Sequence, residues 1–208
     1  MTDPILQKII ALLREAYHCH TVILYGSHAR GDATHSSDYD LLGIRAEGEF
    51  ERDCRLIDGY YLDAFIYSEF DIKKQKDSLL RIKEGVVLYQ KEKLGDELMA
   101  QIKQRLQEGP PKTAAWEKHE IEQWVNKMLA RAKQEDIEGN YRRHWLLFDL
   151  LECYFKLRDA WYFGPKESFS WLKANDRKVY QAFEAALQPA ANLGAIEKLI
   201  TCVLLSNE

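Results

Sequence analysis

The chain has 208 residues, 46% of them hydrophobic and 30% charged, which is ordinary for one large globular domain or two small ones. Its net charge of −4 and the lack of a basic run argue against a long nucleic-acid partner, whose backbone calls for clustered Lys and Arg. No apolar stretch approaches the roughly 20 residues that span a bilayer. No secretory leader is expected at MTDPILQKII, and four scattered cysteines without a CxxC pair suggest free thiols in a reducing cytoplasm.

In chain order, Ile5, Ile9, Ile10, Leu12, Leu13 and Ala16 recur at helical spacing, predicting a helix over 4–17 capped by Asp3 with Pro4 in its first turn. A strand is expected at 21–25, a short helix at 27–30 and a second strand at 38–45. The charged stretch 46–58 reads as a connection, and YYLDAFIY (60–67) as a third strand. Ser68-Glu69-Phe70-Asp71 has the pattern of a capping box and predicts a helix to about Lys83. Glu84-Gly85 would stop it before a strand at 86–90 and a helix at 94–107.

The segment EGPPKT (108–113) is the clearest linker and predicts a boundary between a mixed α/β (α+β) domain, 1–108, and an α-helical bundle, 113–208. Beyond it strand signals fade. Long amphipathic helices are expected at 113–136 and 141–163, parted at Gly139-Asn140, then shorter ones at 168–174, 176–187 and 192–205. All five tryptophans lie in this half. The acidic excess lies in the other: residues 1–109 hold 15 Lys and Arg against 19 Asp and Glu, and the remainder 14 against 14.

The chemistry concentrates in LYGSHARGDATHSSDYDLLGI (24–44). Side chains alternate along a strand, so Asp38 and Asp40 should share a face with Tyr39 opposite. Asp63 is expected within the apolar surround of Leu62, Ala64, Phe65 and Ile66. Buried carboxylates call for a cation or a proton, and Mg²⁺ favours one or two carboxylates together with substrate phosphates. Gly26 allows a phosphate close to the backbone. Ser27 stands where a helix begins, which suits an anion, and Arg30 is one turn on. Together these suit nucleotidyl transfer.

Gly-Ser, then Asp-x-Asp, then a third Asp on a later strand resembles the DNA polymerase beta-like nucleotidyltransferase superfamily, over about Val22 to Tyr67. The wording GSHARGDATHSSDYD is especially similar to minimal nucleotidyltransferase antitoxins and, more distantly, to kanamycin nucleotidyltransferase, whose helical bundle the second half resembles. The resemblance implies a Gly26-Ser27 turn that holds the nucleoside triphosphate. It implies Asp38, Asp40 and Asp63 as ligands of two Mg²⁺ ions, with Mn²⁺ as an alternative. It further implies transfer of a nucleoside monophosphate, AMP from ATP in our reading, to an acceptor hydroxyl with release of pyrophosphate, with Asp63 as the expected base. A small-molecule acceptor is favoured. The alternatives are an antitoxin-type enzyme that attaches AMP to a partner toxin, and a non-catalytic nucleotide-binding protein.

Other side chains read more blandly. His18-Cys19-His20 suits a helix end, His28 and His35 a solvated loop, and Lys73, Lys74 and Lys76 a solvated helix face. On the 141–163 helix, Asp149 and Glu152 form a polar stripe beside Trp145, Phe148 and Phe155. That stripe is either solvated or a wall of the acceptor pocket.

Overall fold

The computed structural model describes residues 3–75, 77–134 and 136–205, so Lys76 lies outside the described residues. The chain divides into two compact units, Met1–Glu108 and Gly109–Glu208. The first is a mixed α/β unit and the second is helical. No described helix is long and apolar enough to cross a membrane.

The first unit opens with α1 (Pro4–Glu15). Its Asp3 cap accepts hydrogen bonds from the Ile5 and Leu6 amides, which would otherwise lack partners. Then come β1 (Thr21–Tyr25), α2 (Gly26–Arg30), β2 (Tyr39–Arg45), β3 (Glu51–Asp53), β4 (Leu56–Ile57) and β5 (Tyr60–Ser68). After them follow α3 (Glu69–Ile72), a 3₁₀ turn (Ser78–Ile82), β6 (Val86–Tyr89) and α4 (Leu94–Glu108). The sheet runs β3-β5-β2-β1-β6, with β4 paired to β5. β2 and β5 are parallel, and the other pairs are antiparallel.

The two-residue period sorts the strands into faces. Val22, Leu24, Tyr39, Leu41, Leu62, Ala64 and Ile66 pack with Ile9 and Leu13 of α1. Full burial of each such aliphatic side chain is worth about 1.5–3 kcal/mol. The alternate residues Ile23, Tyr25, Asp40, Leu42, Asp63 and Phe65 therefore stand on the opposite face.

Two expectations for this unit are corrected. The stretch 46–58 is not a bare connection, because it contains β3 and β4. The helix opening at Ser68 does not reach Lys83. Ser68 does cap it, accepting from the Asp71 amide, but α3 ends at Ile72. Between Ile72 and Leu79 the chain has no apolar residue to hold a further turn against the sheet, and packing rather than propensity sustains short helices.

The second unit holds α5 (Ala115–Ala132), α6 (Ile137–Leu157), α7 (Pro165–Asn175), α8 (Arg177–Ala186) and α9 (Leu193–Leu204). Its core joins Val125 and Met128 to Leu146, Leu150 and Tyr154, and to Phe183, Ile196 and Leu199. The break between the long helices is not at Gly139-Asn140. Asp136 caps α6 by accepting from the Gly139 amide at 2.6 Å, and Gly139 sits inside the first turn. A side chain at Gly139 would lie 3.0 Å from the Arg131 carbonyl, so this glycine serves close approach and not termination. α6 also ends at Leu157, six residues short of expectation.

Candidate active site

Pairing of β2 with β5 sets Asp40 directly beside Asp63, and pairing of β1 with β2 sets Tyr25 opposite Asp40. Since parity sends all three to the same face, two carboxylates from distant parts of the chain meet where β1 gives way to α2. Asp38 precedes β2 and is exposed. Tyr39 turns to the α1 face, where its hydroxyl donates to Asp3 at 2.6 Å. Asp63 differs from its expected apolar surround. Leu62, Ala64 and Ile66 face the core, while Asp63 shares the other face with Phe65 and is half-buried.

The Gly26-Ser27 turn closes directly over Asp40. Gly26 has φ of +70°, and a β-carbon there would lie 2.2 Å from the Asp40 Oδ2. Only glycine meets both conditions. Ser27 is buried. α2 has five residues, so whatever the turn offers an anion comes from its local N–H groups more than from a long macrodipole.

Arg52 of β3 was not singled out from the sequence. Its guanidinium grips Asp63 with Nε on Oδ1 at 2.7 Å and Nη2 on Oδ2 at 2.8 Å, a bidentate pair. The same guanidinium lies 4.8 Å from the centre of the Phe65 ring. Arg81, from the 3₁₀ turn, lies 3.9 Å from that ring and 5.9 Å from that of Tyr25. A trace of Arg81 was readable, since it interrupts the apolar Leu79, Leu80 and Ile82. Arg52 left no trace, because its role depends on β3 folding back along β5.

Burial, then the charge of Asp63, then that of Asp38 push the Asp40 carboxyl up to about 6, with His28 and Arg30 opposing. Burial also raises the Tyr25 phenol. Asp40 is thus a carboxylate short of positive charge. With Asp38 it offers hard oxygen donors that fit Mg²⁺, which takes one or two protein carboxylates and completes its shell with phosphate and water. Among the described residues no three His, Cys, Asp or Glu side chains form a ready-made metal cluster. Asp63 is turned to Arg52 with both oxygens.

Other singled-out residues take varied places. Arg30 pairs with Asp32 at 3.3 Å and Glu84 at 3.7 Å. His28 is not loosely solvated: it stacks on Tyr39 with ring centres 3.8 Å apart. His35 is exposed. Cys19 is buried, and His20 meets Glu69 at 3.1 Å. Lys73 is exposed, and Lys74 pairs with Asp71. In the helical unit, Asp149 and Glu152 line a groove of about 440 Å³ with Trp116, Glu120, Trp124, Cys153 and Lys156. Burial raises the Asp149 carboxyl against a hydrogen bond from Trp145. The Cys153 thiol is pushed up to about 11 by burial and then by Asp149 and Glu152.

Residues 7–94 match the family model described as polymerase beta, nucleotidyltransferase. Among solved structures the chain is similar to a nucleotidyltransferase-like protein from Exiguobacterium sibiricum 255-15. The identity is 14% and the TM-score 0.46, over 96% of this chain and 72% of that one. No curated protein matches.

Proposed function

Because residues 7–94 match the polymerase beta nucleotidyltransferase family model, we propose that the chain transfers AMP from ATP to the hydroxyl of a small-molecule acceptor. The observation that supports this best is the half-buried Asp40, lodged against a positive-φ glycine turn and beside a second carboxylate. Asp38 and Asp40 would hold divalent metal, Mg²⁺ or Mn²⁺, which would supply positive charge to offset the triphosphate. The Gly26 and Ser27 turn holds the β- and γ-phosphates, and Arg30 stands at the far end of the same short helix.

In the reaction the acceptor oxygen forms a bond to the α-phosphorus. The bond from that phosphorus to the α,β-bridging oxygen breaks, and pyrophosphate leaves with the electron pair. The hydroxyl proton passes to a base. Asp63 is the carboxylate we assign to take it, with Arg52 occupying one lone pair on each of its oxygens.

Calorimetry with ATP tests the first half of this reading. Binding is expected to need Mg²⁺, and equal binding after EDTA treatment would sink it. α-Labelled ATP incubated with lysate then reports whether the label moves to a small molecule or to a protein, the latter favouring the antitoxin-type alternative.

The acceptor side is read from the helical unit. Aromatic walls with a few placed polar groups typify small-molecule sites, and the groove of Trp116 and Trp124 has Asp149 and Glu152 among its lining. Glu152→Gln is expected to slow transfer to the acceptor while moving ATP affinity less than threefold, a change below about 0.7 kcal/mol. If Glu152→Gln and Asp149→Asn both leave transfer rates untouched, the groove is not the acceptor site.

A further inference from the structure

We propose that Arg52 is a resident counter-ion that withholds Asp63 from divalent metal, so that a second ion enters only by displacing the arginine. The inference rests on Asp38 and Asp40 forming the first cation site. It concerns what makes that site take up metal in stages.

The geometry carries it. Asp63 and Asp40 are direct neighbours across β2 and β5 on one face of the sheet, where adjacent strands lie about 4.8 Å apart. A cation reaching across from Asp40 therefore finds Asp63 as its next carboxylate. Both oxygens of Asp63 are engaged by the Arg52 fork, at 2.7 and 2.8 Å. A planar guanidinium matches a carboxylate edge in a way a lysine ammonium does not. With Asp63 so matched, the nucleotide-free site offers metal the carboxylates of Asp38 and Asp40.

The same arginine is placed to leave. Its side chain is half exposed, and β3 is a three-residue strand at the edge of the sheet. The strand need not move with it. Neighbouring Asp53 is buried and accepts from the Tyr17 hydroxyl at 2.8 Å and from Arg55 Nε at 2.6 Å, which pins β3 on the opposite side. Arg81 lies against the same Phe65 ring, 3.9 Å from its centre. A doubly charged ion competes with a singly charged one for Asp63, and the displaced guanidinium moves into solvent with no charge left buried.

Mn²⁺ titration of the nucleotide-free full-length protein, followed by electron paramagnetic resonance, counts bound ions directly. The wild type is expected to bind one ion, with a second at least tenfold weaker. Arg52→Gln should bring the second to within threefold of the first. Arg52→Lys, which keeps the charge and loses the fork, should fall between. Superimposable wild-type and Arg52→Gln isotherms overturn the proposal, as does weaker Mn²⁺ binding in Arg52→Gln, which would make the arginine a support for a metal ligand. If Arg52→Gln does not fold, Arg52→Lys carries the test alone, and a wild-type isotherm for it overturns the proposal. Asp40→Asn separates the two levels of argument. Loss of the first ion in Asp40→Asn with no effect of Arg52 overturns only the role of the arginine. No Mn²⁺ uptake by wild type and Arg52→Gln, or full uptake by Asp40→Asn, overturns the metal site and the arginine together.

Discussion

Asp40→Asn is expected to abolish nucleotidyl transfer while making the metal-free protein more stable above pH 6. The first effect follows from removing the carboxylate that stands between the Gly26 turn and Asp63. Loss of one group that stabilises transition-state charge costs about 10²–10³ in rate, which sets the lower bound. The second effect follows from the raised pKa. The Asp40 carboxyl titrates near 6 in the fold against an ordinary value of 3.8. Between those values the folded protein binds more protons than the unfolded one, so its stability falls as pH rises through about 4 to 6. At pH 7 the ionised Asp40 is therefore a net burden. With solvent screening of this partly exposed group discounted, its removal should stabilise by about 1–2 kcal/mol. Differential scanning fluorimetry at pH 4 and pH 7.5 reads this directly: Asn should gain over Asp at the higher pH and show no gain at the lower. A loss of stability at pH 7.5 would mean that Asp40 is a structural hydrogen-bonding group. Full turnover would remove it from the reaction.

Gly26→Ala should be the most damaging conservative change in the nucleotide turn. Two costs add. The left-handed backbone at φ of +70° penalises an L-residue by about 1–2 kcal/mol. The new methyl would also overlap Asp40 Oδ2 at 2.2 Å and force the carboxylate aside, an overpacking of about 1–3 kcal/mol. Displacing Asp40 should weaken ATP affinity in the presence of Mg²⁺ at least tenfold, or about 1.4 kcal/mol. Gly31→Ala isolates the first cost. Gly31 has φ of +79° but open space around its missing side chain, so only the backbone strain applies. Equal effects of the two substitutions on ATP binding would show that the contact with Asp40 does not matter.

Where the sequence was legible, a local period or a local cap carried the information. The apolar runs at Thr21–Tyr25 and Tyr60–Tyr67 and the Asp3-Pro4 start of α1 read correctly because each is decided within a few residues. The spacing of Asp38, Asp40 and Asp63 was readable for the same reason, as was the resemblance that the match over residues 7–94 supports. What could not be read depended on partners far along the chain. β3 has the composition of a loop, Glu51-Arg52-Asp53, and becomes a strand only by pairing with Phe65 and its neighbours. Arg52 therefore stayed invisible although it makes the tightest contact with Asp63. At Gly139 two local signals competed, and the Asp136 cap won over the glycine.

The position of β5 has a consequence for how the site can move. The chain leaves β2, runs out to β3, and returns to lay β5 between them. β5 is thus laced to neighbours on both sides, and Asp63 rides on backbone whose opening approaches the free energy of unrolling the sheet itself. The Gly31–Ser37 loop is exposed over most of its length and is held instead by bonds among Thr34, Ser36 and Ser37 and by ties to α2, from the Asp32 amide to the Ser27 carbonyl and between Arg30 and Asp32. Any adjustment to a bound nucleotide then falls to the loop and to the tip of Arg52, while Asp40 and Asp63 act as the fixed frame against which that adjustment is made.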